Sequence, residues 1–160
     1  MWKQLTQKAR KAILHAQEEA GKLGYSHAGP EHLLLALAKE PDCVAERILE
    51  ALGVDPGTVR AETMKHLSRG NEQLGEDMQL TTGAREAIHL AFDESKQQNE
   101  DWVGTEHLLI GLVSVCGLAS EVLKELGADL PRIRIQLRSL QAGTLPFENA
   151  PGPSVSISAA

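Results

Sequence analysis

Two Gly-x-Glu-His segments carry the side chains of this sequence that are best suited to bind a charged ligand. They place Glu31 before His32 and Glu106 before His107, each at the start of a strongly apolar stretch. A carboxylate in the first turn of a helix is stabilised by the positive end of the helix dipole, by roughly 0.3–1 kcal/mol. The same carboxylate can instead pair with a guanidinium group. The residue types alone leave the structural and the ligand-binding interpretation open.

A threonine begins the amphipathic stretch that precedes each of these segments. Thr6 and Thr81 are predicted helix N-caps, because a hydroxyl can accept a hydrogen bond from a first-turn N–H group. The other N–H groups of that turn have no helical partner and can bind an anion. If this helix starts near the second helix of its own unit, a phosphate site lies beside a carboxylate. That combination suits phosphoarginine, which carries a phosphate on a guanidinium group.

The other candidate chemistries find little support in the sequence. His32 and His107 could be read as metal ligands, but no His-Glu-x-x-His or Cys-x-x-Cys spacing accompanies them. A helix-face or core histidine with one hydrogen bond is the expected role. No phosphate-binding loop, nucleophile elbow or paired-carboxylate motif occurs. We therefore predict no enzyme activity, no cofactor and no metal.

The amino-acid composition argues against nucleic-acid and membrane partners. The 160 residues include 3% aromatics and carry a formal charge of -6, which makes nucleic-acid binding a poor prediction. No run of apolar residues is long enough to span a membrane, and the N-terminus does not fit a secretory signal. Two cysteines, Cys43 and Cys116, favour a reducing, cytoplasmic location with both thiols buried, although a single disulfide remains an alternative. A monomer that binds proteins is the expected form.

The chain contains an internal duplication. When the sequence is shifted by 75 residues, the segment from Leu5 to Leu37 aligns without a gap with that from Leu80 to Leu112, and fourteen of thirty-three positions are identical. After a one-residue deletion the alignment continues to Asp55 and Asp129. A period of this length indicates a duplicated helical unit.

Each unit is predicted to contain four helices, with apolar residues at three- and four-residue steps and no alternation typical of strands. The second helix of each unit is apolar nearly all round and should be central. We predict an all-α domain over residues 1–142, with repeat one at 1–67, a polar connector at 68–79 and repeat two at 80–142. Residues 143–160 are predicted to be a disordered tail or linker.

The repeated blocks carry a family resemblance. Gly-Pro-Glu-His-Leu-Leu-Leu-Ala-Leu at 29–37 and Gly-Thr-Glu-His-Leu-Leu-Ile-Gly-Leu at 104–112 resemble the repeat signature of the N-terminal domain of Clp ATPases, most closely the ClpC type. The opening helix at 5–24 is similar to that family's first helix. The resemblance implies an eight-helix domain with pseudo-twofold symmetry that receives substrates and adaptors, without the AAA+ rings of the full-length ATPases.

The resemblance also implies one phosphoarginine pocket in each repeat. On this basis Thr6 and Glu31 are assigned to the first pocket, and Thr81 and Glu106 to the second. Pro30 and Gly83 depart from the family pattern, which has threonine at the position of Pro30 and a basic residue at that of Gly83.

The expected partners are protein substrates or adaptors and a Clp ATPase or peptidase. Two alternatives stay open: a regulatory subunit that docks on a Clp protease core, and a decoy for ligands of the ClpC N-domain.

Overall fold

Eight α-helices build the described part of the chain, as predicted. A computed structural model describes residues 2–67 and 79–142, beginning with a 3-10 turn at Trp2–Gln4. The first repeat contains α1 (Gln7–Lys22), β1 (His27–Ala28), α2 (Pro30–Lys39), α3 (Val44–Ala51) and α4 (Pro56–His66). The second contains β2 (Gln79–Leu80), α5 (Thr82–Gln97), α6 (Thr105–Ser114), α7 (Leu118–Glu125) and α8 (Leu130–Ala142). The prediction of an all-α fold is confirmed.

Short polar side chains cap four of these helices, two of them at the predicted threonines. The hydroxyls of Thr6 and Thr81 accept hydrogen bonds of 3.1 Å from the third residue of α1 and of α5. The Asp55 and Asp129 carboxylates do the same for α4 and α8, at 3.1 and 3.0 Å. Each cap satisfies a backbone donor that the helix itself leaves without an acceptor.

The core forms around α2 and α6, the two helices whose sequences are apolar on nearly every side. Their buried leucines and isoleucine are at most 2% exposed and lie at equivalent positions of the two repeats: Leu33, Leu34, Leu35, Leu37, Leu108, Leu109, Ile110 and Leu112. Helix α1 packs on α2 and α5 packs on α6, so each repeat covers one side of its own central helix.

The contacts between the repeats follow a pseudo-twofold relation. Helix α3 packs against α6 and α8, and the equivalent α7 packs against α2 and α4. The third helix of each repeat therefore contacts the second and the fourth helices of the other repeat. Neither repeat could bury its apolar faces without its partner.

Two equivalent ion pairs tie the first helix of each repeat to the fourth. Nη2 of Arg60 donates to Glu19 at 2.7 Å, and Nη2 of Arg134 donates to Glu94 at 2.9 Å. Both glutamates are buried. Burial alone would raise the pKa of Glu19, but the hydrogen bond and charge of Arg60 outweigh it and lower that pKa.

Very short parallel strands join the repeats, which the sequence did not predict. Strand β1 pairs with β2, with His27 opposite Gln79 and Ala28 opposite Leu80. An isolated parallel bridge between Leu5 and Val103 is the equivalent contact. Segments of two residues are too short to show the alternation by which strands are identified in a sequence.

Three smaller predictions need correction or lie outside the structure. Gln79 belongs to β2 and not to the connector, whereas the rest of the predicted connector, 68–78, and the predicted tail, 143–160, lie outside the described residues. The expectation that both thiols are buried is wrong for Cys116, which is exposed in the loop before α7.

Within the part of the chain that the structure describes, no single helix is long and apolar enough to cross a bilayer. Helices α6 and α7 meet those criteria only as a pair, across a bend of 101°.

Candidate functional site

The structure pairs the predicted site residues across the repeats. The backbone N–H of Thr81 donates to the carbonyl of Ala28 at 2.9 Å, which brings the start of α5 beside the start of α2, where Glu31 lies. The N–H of Thr6 donates to the carbonyl of Val103 at 3.0 Å, which brings the start of α1 beside the start of α6. The predicted pairing of Thr6 with Glu31 and of Thr81 with Glu106 is therefore wrong. The parallel β-pairings instead bring Thr81 to the side of Glu31 and Thr6 to the side of Glu106.

We name the two sites after their carboxylates. The Glu31 pocket consists of Glu31 with Thr81, Thr82 and Gly83. The Glu106 pocket consists of Glu106 with Thr6, Gln7 and Lys8. Each therefore combines the first turn of one repeat's first helix with the first turn of the other repeat's second helix.

The Glu31 pocket offers unpaired backbone donors. The N–H groups of Thr82 and Gly83 have no acceptor among the described residues, because they belong to the first turn of α5. Gly83 lies against α2, since a Cβ atom added there would come 3.2 Å from Cγ of Pro30. These donors and the positive end of the α5 dipole favour an anion at this position.

The side chains of Glu31 and Glu106 each fold back over the glycine that precedes their helix. A Cβ atom added to Gly29 would lie 2.6 Å from Oε1 of Glu31, and one added to Gly104 would overlap Oε1 of Glu106. A side chain at either glycine would displace the carboxylate. The glycine of the Gly-x-Glu-His segment thus leaves room for the glutamate.

The histidines of these segments cap their own helices. Nδ1 of His32 accepts a hydrogen bond of 3.0 Å from the N–H of Gly29, and Nδ1 of His107 accepts one of 2.9 Å from that of Gly104. Both rings are buried. No group of three or more His, Cys, Asp or Glu side chains that could hold a metal occurs in the described parts of the chain.

The pKa values of the two histidines shift in opposite directions. Burial dominates at His32 and lowers its pKa, although Glu31 and Glu19 act against it. Burial would also lower the pKa of His107, but the hydrogen bond and charge of Glu106 outweigh it, so that pKa is raised. The two copies of one motif thus have different electrostatic surroundings.

Thr105 has a role that sequence analysis missed. Its hydroxyl accepts a hydrogen bond of 3.1 Å from the N–H of Ala45, at the start of α3 in the other repeat. The equivalent position in repeat one is Pro30, which has no hydroxyl, and α7 correspondingly follows its N-cap residue Gly117 without a side-chain cap. The sequence does show that Pro30 stands where the family has threonine. It does not show that the hydroxyl of Thr105 binds the N–H of Ala45, because the two residues are 60 positions apart.

Lys8 does not point to the end of α1 at which an anion would bind. Its Nζ atom donates to the carbonyl of Pro41 at 2.8 Å and lies 3.4 Å from Oε1 of Glu40. The basic side chain is therefore engaged at the far end of α2.

Comparison with known proteins agrees with the fold. The sequence profile of the Clp repeat N-terminal domain matches residues 4–114 and 79–160. The ATP-binding subunit ClpC of Staphylococcus saprophyticus is 38% identical over 134 residues, which are 83% of this chain and 16% of that protein. A ClpA homolog of Guillardia theta is 36% identical over 145 residues, 90% of this chain and 18% of that protein. The chain spans less than a fifth of the length of these curated relatives.

Solved structures share the architecture at low sequence identity. The N-terminal domain of Hsp104 from Candida albicans aligns with a TM-score of 0.75 at 20% identity, covering 93% of this chain and 99% of that one. The N-terminal domain of ClpD from Arabidopsis thaliana aligns with a TM-score of 0.68 at 23% identity, covering 86% and 97%. The duplicated motif, the eight described helices and the profile match agree. The chain belongs to the Clp repeat N-terminal domain family, whose members are non-catalytic binding modules of Clp ATPases.

Proposed function

We propose that this chain captures protein substrates or adaptors for Clp-dependent protein quality control, and that it recognises proteins marked with phosphoarginine. It performs no chemistry on them, and a Clp ATPase with its peptidase would act on the captured protein. The family membership supports the general role. A solved relative of the same fold, the N-domain of ClpV, is described as a complex with a VipB peptide.

The observation that carries the proposal is the composition of the Glu31 pocket. The β1–β2 pairing brings the unpaired N–H groups of Thr82 and Gly83 beside a helix turn that holds a partly exposed carboxylate. A phosphate accepts hydrogen bonds from such N–H groups, and a guanidinium donates to a carboxylate. Phosphoarginine contains both groups within one side chain, so it can satisfy the two halves of the pocket together.

Isothermal titration calorimetry with free phosphoarginine tests this proposal. We expect binding by the wild-type chain, and much weaker binding of arginine or inorganic phosphate, since each satisfies only half of the pocket. Glu31→Gln should weaken phosphoarginine binding, because it removes the charge that pairs with the guanidinium. Glu18→Gln, at an exposed site on α1, is the matched control.

Absence of any binding by the folded wild-type chain would contradict phosphoarginine recognition. Equal affinity for phosphate alone would contradict the role of the carboxylate. A peptide carrying phosphoarginine, compared with the same peptide carrying arginine, extends the test to a protein-like ligand.

A further inference from the structure

The two predicted ligand carboxylates differ in their access to solvent. The Glu31 side chain is 24% exposed, whereas that of Glu106 is 4% exposed. The two N-cap threonines differ in the same direction, since Thr6 is 1% exposed and Thr81 is partly exposed. The Glu31 pocket is thus open, and the Glu106 pocket is covered.

His107 is the titratable side chain nearest to the buried carboxylate of Glu106. Its Nδ1 atom lies 2.9 Å from the backbone nitrogen of Gly104 and 3.2 Å from Oε1 of Glu106. An unprotonated Nδ1 accepts from Gly104, whereas a protonated Nδ1 donates to Glu106, and one nitrogen cannot do both. In the structure Nδ1 accepts from Gly104, and Oε1 of Glu106 is buried with no hydrogen-bond partner among the described residues. Protonation of His107 would give this oxygen a donor 3.2 Å away, and the N–H of Gly104 would then lose its acceptor.

Repeat one lacks the same contact. Nδ1 of His32 lies 3.9 Å from Oε1 of Glu31, which is too long for a hydrogen bond. That nitrogen accepts from the N–H of Gly29 instead. Glu31 is consequently not hydrogen-bonded to Nδ1 of His32.

Charged groups on three sides favour the protonated form of His107. Glu106 belongs to its own helix, Glu100 to the loop before α6, and Glu94 to α5. Oε1 of Gln98 lies 3.3 Å from Nε2 of His107 and accepts a hydrogen bond when that nitrogen carries a proton. From α8, Gln141 donates to both Gln98 and Glu100, whereas Arg134 pairs with Glu94 at 2.9 Å and offsets part of that carboxylate's charge.

We infer that the two pockets are not equivalent: the Glu31 pocket is open to ligand, and His107 shuts the Glu106 pocket by holding its carboxylate inside the domain. The identity of the ligand rests on the proposed function, whereas the closure is a property of the chain alone. A guanidinium that entered the Glu106 pocket would have to displace His107 from Glu106. The duplicated domain therefore has one accessible site instead of two.

Carboxyl labelling of the wild-type chain tests the closure without any ligand. The folded protein is treated with a water-soluble carbodiimide and glycinamide, and the modified glutamates are quantified by mass spectrometry, with the denatured chain as the reference. We expect modification of Glu31 to exceed that of Glu106 several-fold, following their exposed fractions. Equal modification in the folded chain would overturn the inference.

A variant of each histidine tests the role of His107. His107→Gln keeps an acceptor for the N–H of Gly104, since glutamine is a common residue at this helix position, but it cannot carry a positive charge. We expect Glu106 to become labelled to about the extent of Glu31. The matched variant His32→Gln should leave the labelling of both glutamates unchanged. Continued protection of Glu106 in folded His107→Gln would overturn the assignment to His107.

Calorimetry with phosphoarginine separates this inference from the proposed function. We expect one binding site in the wild-type chain and two in His107→Gln. Two sites in the wild-type chain would overturn the closure. An absence of binding together with unequal labelling of Glu31 and Glu106 would contradict phosphoarginine recognition and support the closure.

Discussion

The backbone N–H of Thr81 donates a 2.9 Å hydrogen bond to the carbonyl oxygen of Ala28, so the first helix of repeat two starts on the surface of repeat one. The equivalent bond joins Thr6 to Val103 at 3.0 Å. These two bonds decide which carboxylate lies near which helix N-terminus. Each candidate pocket is complete only when both repeats are folded together.

Removing one backbone donor should weaken ligand binding without unfolding the domain. Thr82→Pro removes an N–H from the first helical position of α5, where proline is well tolerated, and Thr81 already has the extended conformation that proline requires before it. Loss of a hydrogen bond to a charged group costs about 1.5–3 kcal/mol, which is roughly ten- to a hundredfold in the dissociation constant. Calorimetry with phosphoarginine measures this change.

The equivalent variant in α1 is the control for that experiment. Gln7→Pro removes the same donor from the Glu106 pocket, and Thr6 is also extended. We expect phosphoarginine binding to be unchanged, because that pocket is shut. If Gln7→Pro weakened phosphoarginine binding more than Thr82→Pro did, the Glu106 pocket and not the Glu31 pocket would be the open one.

The hydroxyl of Thr105 should contribute to stability through a helix of the other repeat. Thr105→Val keeps the shape of the side chain but leaves the N–H of Ala45 without this acceptor, which should lower the free energy of unfolding by about 1–3 kcal/mol. Thr105→Ser retains the hydroxyl and should cost less. Urea denaturation of the two variants and the wild type makes the comparison, and equal stability of the valine and serine variants would contradict this role.

The two motif histidines should titrate on opposite sides of their usual pKa of 6.5. The pKa of His107 is raised, so its contribution to stability is present below pH 6.5 and is lost as the pH rises through its folded-state value. The pKa of His32 is lowered, so its neutral form is favoured in the folded state and stability falls as the pH drops below 6.5. A titration of the imidazole resonances by NMR checks the order, and His32 titrating above His107 would refute it.

The central helices should be sensitive to truncation. Leu34→Ala and Leu109→Ala should each lower the free energy of unfolding by about 2–5 kcal/mol, because both side chains are fully buried and leave a cavity. Leu14→Ala is the control, since Leu14 is 51% exposed on α1 and should change stability far less. Chemical denaturation measures all three, and losses below about 1 kcal/mol at Leu34 and Leu109 would contradict a central position for α2 and α6.

Features encoded within one turn or one helix could be predicted from the sequence. Thr6, Thr81, Asp55 and Asp129 lie where a short polar side chain meets an apolar repeat of three and four residues, and each caps its helix. The duplication itself revealed the eight-helix architecture. These predictions succeed because a cap and its donor are separated by only three residues.

Contacts between distant residues could not be predicted in this way. The pairing of Thr6 with Glu106 and of Thr81 with Glu31 depends on parallel pairings of one or two residues, which have no periodic signal of their own. The exposure of Cys116 depends on which side of the loop faces the core.

The sequence by itself determined two copies of a four-helix unit and a repeated Gly-x-Glu-His segment at the start of each central helix. Only the tertiary structure decided that each helix N-terminus faces the carboxylate of the other repeat, and that Glu106 is buried while Glu31 reaches solvent. The physical reason is range: local hydrogen bonds and apolar periodicity are set by neighbouring residues, whereas burial and pairing depend on how the two repeats pack.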